Sequence, residues 1–460
     1  MWSLTPFEQY MVDDDCIGFP MDFTAIWSCE GSVNQAYLQR SLDEALKHHP
    51  LLTCRLEGKK WVPSGRPVVV QQVEWCQIDT EKMGATSGCV EPLKVQLITL
   101  SDGHYEIHMT FHHASCDGIG AMEFCGDVFK EYAKECSGSN GHQNIPKRKQ
   151  VGAATLLDSR GVLERPVVEG VSWLDAMRFF LGEARWFFLE RATAIPCDGV
   201  GFDAASKTEL PSIQLTREET IQLRRYAEKQ GASLNELLMA LLTGVIGNFC
   251  HTSGQSGKSW VGMVQPVNMR PRLTHRMPAS NGIGYAFYRR KISECRCWKD
   301  LLPKIVDDSR AVVKYGLAGC FHDALAMLQR VPNPFRRWFV RAMKPGTFVF
   351  SYLGDPRRRF AHSLAGEQES IDVGDFKIVN FSVAPPPRNG TELAILASLF
   401  GQRLTLWMRP SQRLSGTVSM KELCSLAELA LRGCIRSNEA AGGTLQDTKN
   451  NVPKELVGSG

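Results

Sequence analysis

At 460 residues the chain is longer than one compact core usually needs, and two domains are expected. Apolar residues make up 43% and charged residues 22%, an ordinary globular balance; a net charge of +4 leaves no basic face or tail suited to nucleic acid. No basic-then-apolar leader opens the sequence, and the most apolar stretch, 234–245, is too short to span a bilayer. Fifteen cysteines, an odd number without a CxxC pair, read as reduced thiols, so a cytoplasmic protein is expected.

In chain order, the apolar spacing predicts a helix over 33–48. A strand pair follows at 95–100 and 105–113, joined by Ser101-Asp102-Gly103. Ile119, Met122, Cys125, Phe129 and Tyr132 recur at helical spacing after Asp117, which suits a helix cap. The polar stretch 137–149 reads as a surface loop. Between the halves, 173–192 mixes six Trp and Phe side chains with Arg178, Arg185 and Arg191. It reads as a linker helix packed on both halves, with peripheral membrane contact as the alternative. The second half opens near 213 and carries two capping boxes, Thr216 to Glu219 and Ser233 to Glu236. Strands are predicted at 260–264, 347–352, 393–400 and 404–408, the last two hinged at Gly401-Gln402. A helix over 419–435 precedes a disordered tail, 438–460.

The densest chemistry lies at 112–118, His-His-Ala-Ser-Cys-Asp-Gly. Alternation through 105–113 puts His113 on the apolar face with Tyr105, Ile107, Met109 and Phe111. It puts His112 on the polar, solvated face with His104 and His108. An imidazole at an apolar strand end suits a general base. Adjacent strand residues point apart, so His112 and His113 cannot chelate one ion, and no metal site is expected. A nucleophilic Cys116 beside His113 is conceivable, but a small buried thiol is the simpler reading. Two ordinary histidines followed by a capping Asp117 fit the same residues as well as a catalytic centre does.

The heptad resembles the HHxxxDG motif of acyltransferases: peptide-synthetase condensation domains, wax ester synthases, alcohol acetyltransferases and their relatives. Further segments are similar to that family in the same order. They are the opening 1–9, HHPLL at 48–52, the helix start at 233–240, PVNMR at 266–270 and FSYLG at 350–354. The resemblance covers roughly 1–435. The DFGWG segment of the plant branch is absent; its nearest counterpart is DFKIV at 375–379.

The resemblance implies an α/β protein of two chloramphenicol acetyltransferase-like sandwich domains in pseudo-twofold arrangement, with a tunnel between them. On this reading 1–155 is the first domain, 156–210 the linker and 211–437 the second domain. It implies transfer of an acyl group from a thioester, on coenzyme A or a carrier protein's phosphopantetheine, to a hydroxyl or amine. His113 would be the base, His112 a local support and Asp117 a structural partner of Arg270. The Gly118 amide, at a helix start, would stabilise the oxyanion. Ser351, Arg357 and Arg358 would contact substrate. No bound cofactor is required, no nucleic-acid partner is expected, and the protein is expected to be a monomer. A non-catalytic carrier- or acyl-binding relative and a thioester hydrolase are the rival readings.

Overall fold

The computed structural model describes residues 1–16, 18–74, 90–138, 153–161, 190–197, 211–270, 276–360, 364, 369–411, 413–415 and 417–450. The predicted 137–149 loop and the aromatic linker 173–192 fall almost wholly outside them.

Two six-stranded sheets carry the structure. The first runs β5 (Val70–Glu74), β6 (Leu93–Ser101), β7 (His104–His112), β2 (Asp22–Gly31), β13 (Phe376–Ala384) and β12 (Ile371–Val373). The second runs β8 (Ser212–Gln214), β15 (Arg403–Pro410), β14 (Leu393–Phe400), β11 (Phe348–Gly354), β9 (Trp260–Asn268) and β10 (Ile283–Lys291). A small third sheet joins β1 (Trp2–Ser3), β4 (Lys60–Pro63) and β3 (Cys54–Glu57).

The β6–β7 hairpin turns through Gly103 at φ +75°, a backbone conformation that costs glycine nothing. On one face Val95, Leu97, Ile107, Met109 and Phe111 are fully buried. They lie in one core with α2 (Gln35–Leu46) and α3 (Gly118–Cys136), whose apolar stripes Leu38, Leu42 and Met122, Cys125, Phe129 belong to the same cluster. Helix α2 is shorter than the spacing suggested, because Asn34 caps it by accepting from the Ala36 and Tyr37 amides.

The opposite face departs from expectation. His104 is exposed, but His108 and His112 are each only 3% exposed. Thr24, Ile98 and Ser382 on that side are buried too, so the sheet is covered on both faces. A strict polar alternation would leave that face wet; here Glu106 bonds the His108 ring at 2.7 Å and makes its burial tolerable.

Strands β12 and β13 also correct the simple division at residue 211. They come from the second half of the chain yet extend the first sheet, with β13 antiparallel to β2 from Phe376 opposite Gly31 to Ala384 opposite Thr24. Phe376, Ile378, Phe381 and Val383 enter the first core, and the β2 edge is closed.

In the second half both capping boxes form, at the starts of α4 (Arg217–Lys229) and α5 (Leu234–Thr252). The β14–β15 hairpin turns at Gly401 and Gln402, φ +58° and 63°, the primed-turn geometry that suits strand twist. With α6 (Trp298–Tyr315) these elements share a second core. The last helix, here called α9 (Val418–Asn450), runs past the predicted start of a disordered tail; Glu439, Ala440 and Ala441 continue its helix-forming sequence.

A third cluster mixes the halves: Phe7, Tyr10, Met21, Leu51 and Ala114 pack with Val264, Ile283, Phe287, Phe321 and Val340. Polar contacts run along the same seam. Asp13 and Asp14, ending α1 (Pro6–Asp14), pair with buried Arg336, on α8 (Asn333–Ala342), and buried Arg388 at 2.6 and 2.7 Å. Helix α7 (Cys320–Leu328) supplies Phe321.

Candidate functional site

The turn between β7 and α3 is fixed from every side. The His113 amide donates to the Met21 carbonyl at 2.7 Å, and its ring lies edge-on to Phe23 at 5.2 Å between centroids. Ser115 closes the turn by donating to the His112 carbonyl through both its amide and its hydroxyl. Asp117 then caps α3, accepting from the Gly120 amide at 3.0 Å.

His113 itself lies one residue past the end of β7. It is crowded by neighbours and only partly exposed. Its Nδ1 is sealed from solvent, while the residue as a whole keeps partial exposure. Burial pushes its pKa below the usual histidine value, against the opposing influence of its own main chain and Asp117. The ring is therefore neutral at neutral pH and able to take a proton.

His112 points the other way, as strand parity requires. Its Nδ1 accepts from the Ala114 amide at 3.1 Å, and Nε2 lies 3.9 Å from Asp15. Burial opposes ionisation of Asp15, but the nearby His112 ring and the Met21 amide outweigh it and lower its pKa.

Asp117 is buried at 1% exposure and joins the halves. Arg270, just past β9, donates Nη2 to Asp117 Oδ1 at 2.7 Å and to the Ser280 carbonyl at 2.8 Å. The Gly282 amide donates to Asp117 Oδ2 at 2.8 Å. Desolvation works against the Asp117 charge, yet Arg270 and the two amides hold its pKa below the ordinary carboxylate value. The carboxylate has no bond to the His113 ring; its acceptor sites serve the turn and the seam.

The segment 279–282 was not singled out from the sequence, and it is the second half's contribution. Asn281 donates Nδ2 to the carbonyls of His113 and Ala114 at 2.9 and 3.0 Å. The Ala279 amide donates to His49 Nδ1 at 2.8 Å, and His49 Nε2 meets Asp127 at 3.0 Å. The run of small and turn-forming residues from Ala279 to Gly284 was the available signal. A Cβ on Gly120 would stand 3.0 Å from the Ser280 backbone, so the glycine permits the close approach.

Gly118 is the first residue of α3, where amides have no intrahelical acceptor, and faces Leu353 of β11. Ser351 shares the side of β11 that carries Val349, which packs on the mixed seam cluster, and sits just before a register irregularity between Tyr352 and Gly354. Arg357 forks onto Asp355 at 2.9–3.2 Å and lies over the Phe400 ring; Arg358 is exposed. Two arginines elsewhere hold structure: Arg289 donates to the Glu190 and Pro345 carbonyls, and Arg336 is buried on Asp13. Cys116 is fully buried, and burial raises its thiol pKa well above the usual value, which keeps it from acting as a thiolate. Among the described residues no three His, Cys, Asp or Glu side chains are grouped to hold a metal ion. No single described helix is long and apolar enough to cross a membrane.

This fold is that of condensation domains and related acyltransferases. The chain is similar to trichothecene 15-O-acetyltransferase from Fusarium sporotrichioides at TM-score 0.66, with 11% identity over 93% of this chain and 94% of that one. It is similar to polyketide synthase associated protein 5 from Mycobacterium tuberculosis at TM-score 0.60, with 15% identity over 94% and 98%. The starter condensation domain of rhizomide synthetase, solved with C8-CoA and Leu-SNAC, superposes at TM-score 0.61, with 9% identity over 95% and 94%. No protein-family model and no curated protein sequence matches the chain.

Proposed function

We propose that this protein is an acyltransferase that moves an acyl group from a thioester to a hydroxyl or amine acceptor by direct attack. The observation that carries the reading is the placement of His113: a partly exposed imidazole just past β7, on a turn held by Met21 from the first half and Asn281 from the second. His113 Nε2 takes the acceptor's proton as its oxygen or nitrogen bonds to the thioester carbonyl carbon. The carbonyl oxygen gains the charge, and the Gly118 amide at the positive end of α3 is suited to stabilise it. Collapse of the tetrahedral species breaks the C–S bond, and the departing sulfur receives the proton from His113. The names of the neighbours support the donor class, since one was solved with C8-CoA and another is an O-acetyltransferase. Coenzyme A or a carrier-protein arm would serve as donor, with Ser351, Arg357 and Arg358 as candidate contacts; Arg357 would have to exchange its bond to Asp355.

Free-thiol release from a panel of acyl-CoA donors, with and without alcohols and amines, tests this. Release that requires acceptor supports transfer; release without acceptor identifies a hydrolase, and none with any pair favours a binding module. His113→Ala should abolish turnover while donor binding persists, and unchanged turnover would remove His113 from the mechanism.

A further inference from the structure

We infer that the outer face of α8, with the link that leads into it, is a docking surface for an anionic membrane. Contact there does not depend on the chemistry at His113. Helix α8 (Asn333–Ala342) buries one face and leaves an apolar one in solvent. Arg336 and Val340, one turn apart, point inward, Arg336 onto Asp13 at 2.6 Å and Val340 into the seam cluster. Arg341 adds bonds from Nε and Nη2 to the Asp13 and Asp15 carbonyls at 3.1 and 2.7 Å. With about 3.6 residues per turn, Phe335, Trp338 and Ala342 fall on the opposite side. All three are exposed, Phe335 at 67% and Trp338 at 71%.

A single exposed apolar side chain needs no explanation, but two large aromatics on one stripe of a helix fixed to the core do. Met327 of α7 is exposed as well, while Leu325 of that helix is buried in the seam. Charge defines the partner. No Asp or Glu occurs from 324 to 354, and five Lys and Arg do. Arg336 and Arg341 are committed inward. Arg330, Arg337 and Lys344 are exposed, and Arg337 reaches Asp13 only at 3.9 Å. An anionic bilayer surface matches this pairing: its interface takes up Trp and Phe without a shaped pocket, and its phosphates meet the cations around them. A protein groove that reads a helix uses anchors spaced over two turns, at i, i+3 or i+4, and i+7. Here Phe335 and Trp338 supply two, and Ala342 at the third place offers almost nothing to grip. The helix is already folded and held on α1, so docking requires no ordering of this segment.

Flotation of the full-length protein with vesicles tests this, using phosphatidylcholine alone and a phosphatidylcholine–phosphatidylglycerol mixture, each at low and high salt. Wild type should float with the mixed vesicles, not with the neutral ones, and high salt should weaken the binding. Phe335→Ser with Trp338→Ser should lower the partition by more than about tenfold. Arg330→Gln with Lys344→Gln should lower it by about fivefold for each charge removed. Both pairs should keep wild-type urea stability, since these side chains face solvent. Brominated lipid should quench wild-type tryptophan fluorescence, and the quenching should shrink in Trp338→Phe, which still binds. Should the serine pair not fold, that quenching and the charge pair carry the test. Failure to bind the mixed vesicles, equal binding to neutral ones, or undiminished binding by the aromatic or charge variants would overturn the inference. A wild-type dimer that the serine pair dissolves, with vesicle binding absent, would overturn it too and show that a second copy covers the face.

Discussion

Removing Arg270 should destabilise the protein in a way that depends on pH. Asp117 is 1% exposed and accepts from three groups, of which only Arg270 is charged. In Arg270→Ala the carboxylate would keep two neutral amide donors inside the seam. Breaking a buried pair from one side costs about 3–5 kcal/mol. The sign with pH follows from Asp117. In the wild type its folded pKa is lowered, so its contribution is complete above the unfolded value of about 4 and is lost as pH falls through the folded value. Without Arg270, burial dominates and the folded pKa rises above the unfolded one. The variant then gains relative stability on acidification, about 1.4 kcal/mol for each pH unit between the new value and the unfolded one. Urea unfolding followed by tryptophan fluorescence should therefore show a larger deficit at pH 8 than at pH 5. Asp117→Asn combined with Arg270→Met should be less damaging than Arg270→Ala alone, since it leaves no buried charge. A deficit below about 1 kcal/mol, or one equal at both pH values, would refute the assignment of this pair as a buried inter-half anchor.

Two further substitutions probe the same region. Gly120→Ala would place a methyl 3.0 Å from the Ser280 backbone, so it should cost about 1–3 kcal/mol and lower turnover by displacing the Asn281 segment; wild-type stability and rate would show that the approach is slack. Burial raises the Asp22 pKa from 3.8 to about 6, against the influence of His112 and Arg409. A raised folded pKa means the group's cost to folding grows from about pH 4 and is complete above about pH 6, so Asp22→Asn should stabilise at pH 8 by up to about 3 kcal/mol and by nothing measurable at pH 3; an equal effect at both would exclude the raised pKa.

Local sequence carried much of this fold. Capping boxes at Thr216 and Ser233, the Gly103 and Gly401 turns and the stripes of α2 and α3 each depend on residues a few positions apart, and each formed. What failed was whatever depended on distant partners. Parity correctly sent His112 and His113 to opposite sides, but alternation cannot report that the second side is also covered, and His112 proved more buried than His113. The return of 371–384 to the first sheet was hidden because a strand's pattern specifies a buried face and not which sheet supplies it. Asn281 stayed unread because its role consists of bonds to carbonyls 167 and 168 residues away.

The buried ion pairs along the seam share one property: each joins a residue of the first half to an arginine of the second. Asp13 meets Arg336, Asp14 meets Arg388 and Asp117 meets Arg270. Desolvation makes such pairs poor sources of stability beside apolar contacts, which the seam already has in Phe7, Tyr10, Phe287 and Phe321. Apolar packing, however, is tolerant of small slides, whereas an Arg fork on a carboxylate is satisfied at one register. Register is what the site needs. His113 stands on a first-half turn, while the groups that hold its backbone and cap its neighbour Asp117 come from 270 and 279–282. A slide of about one ångström would part those bonds while leaving the apolar seam closed, and displacements of that size are costly to catalysis. The ion pairs therefore act on chemistry through alignment, which predicts that Arg388→Met, far from His113 in the chain, should lower kcat more than its effect on urea stability would suggest.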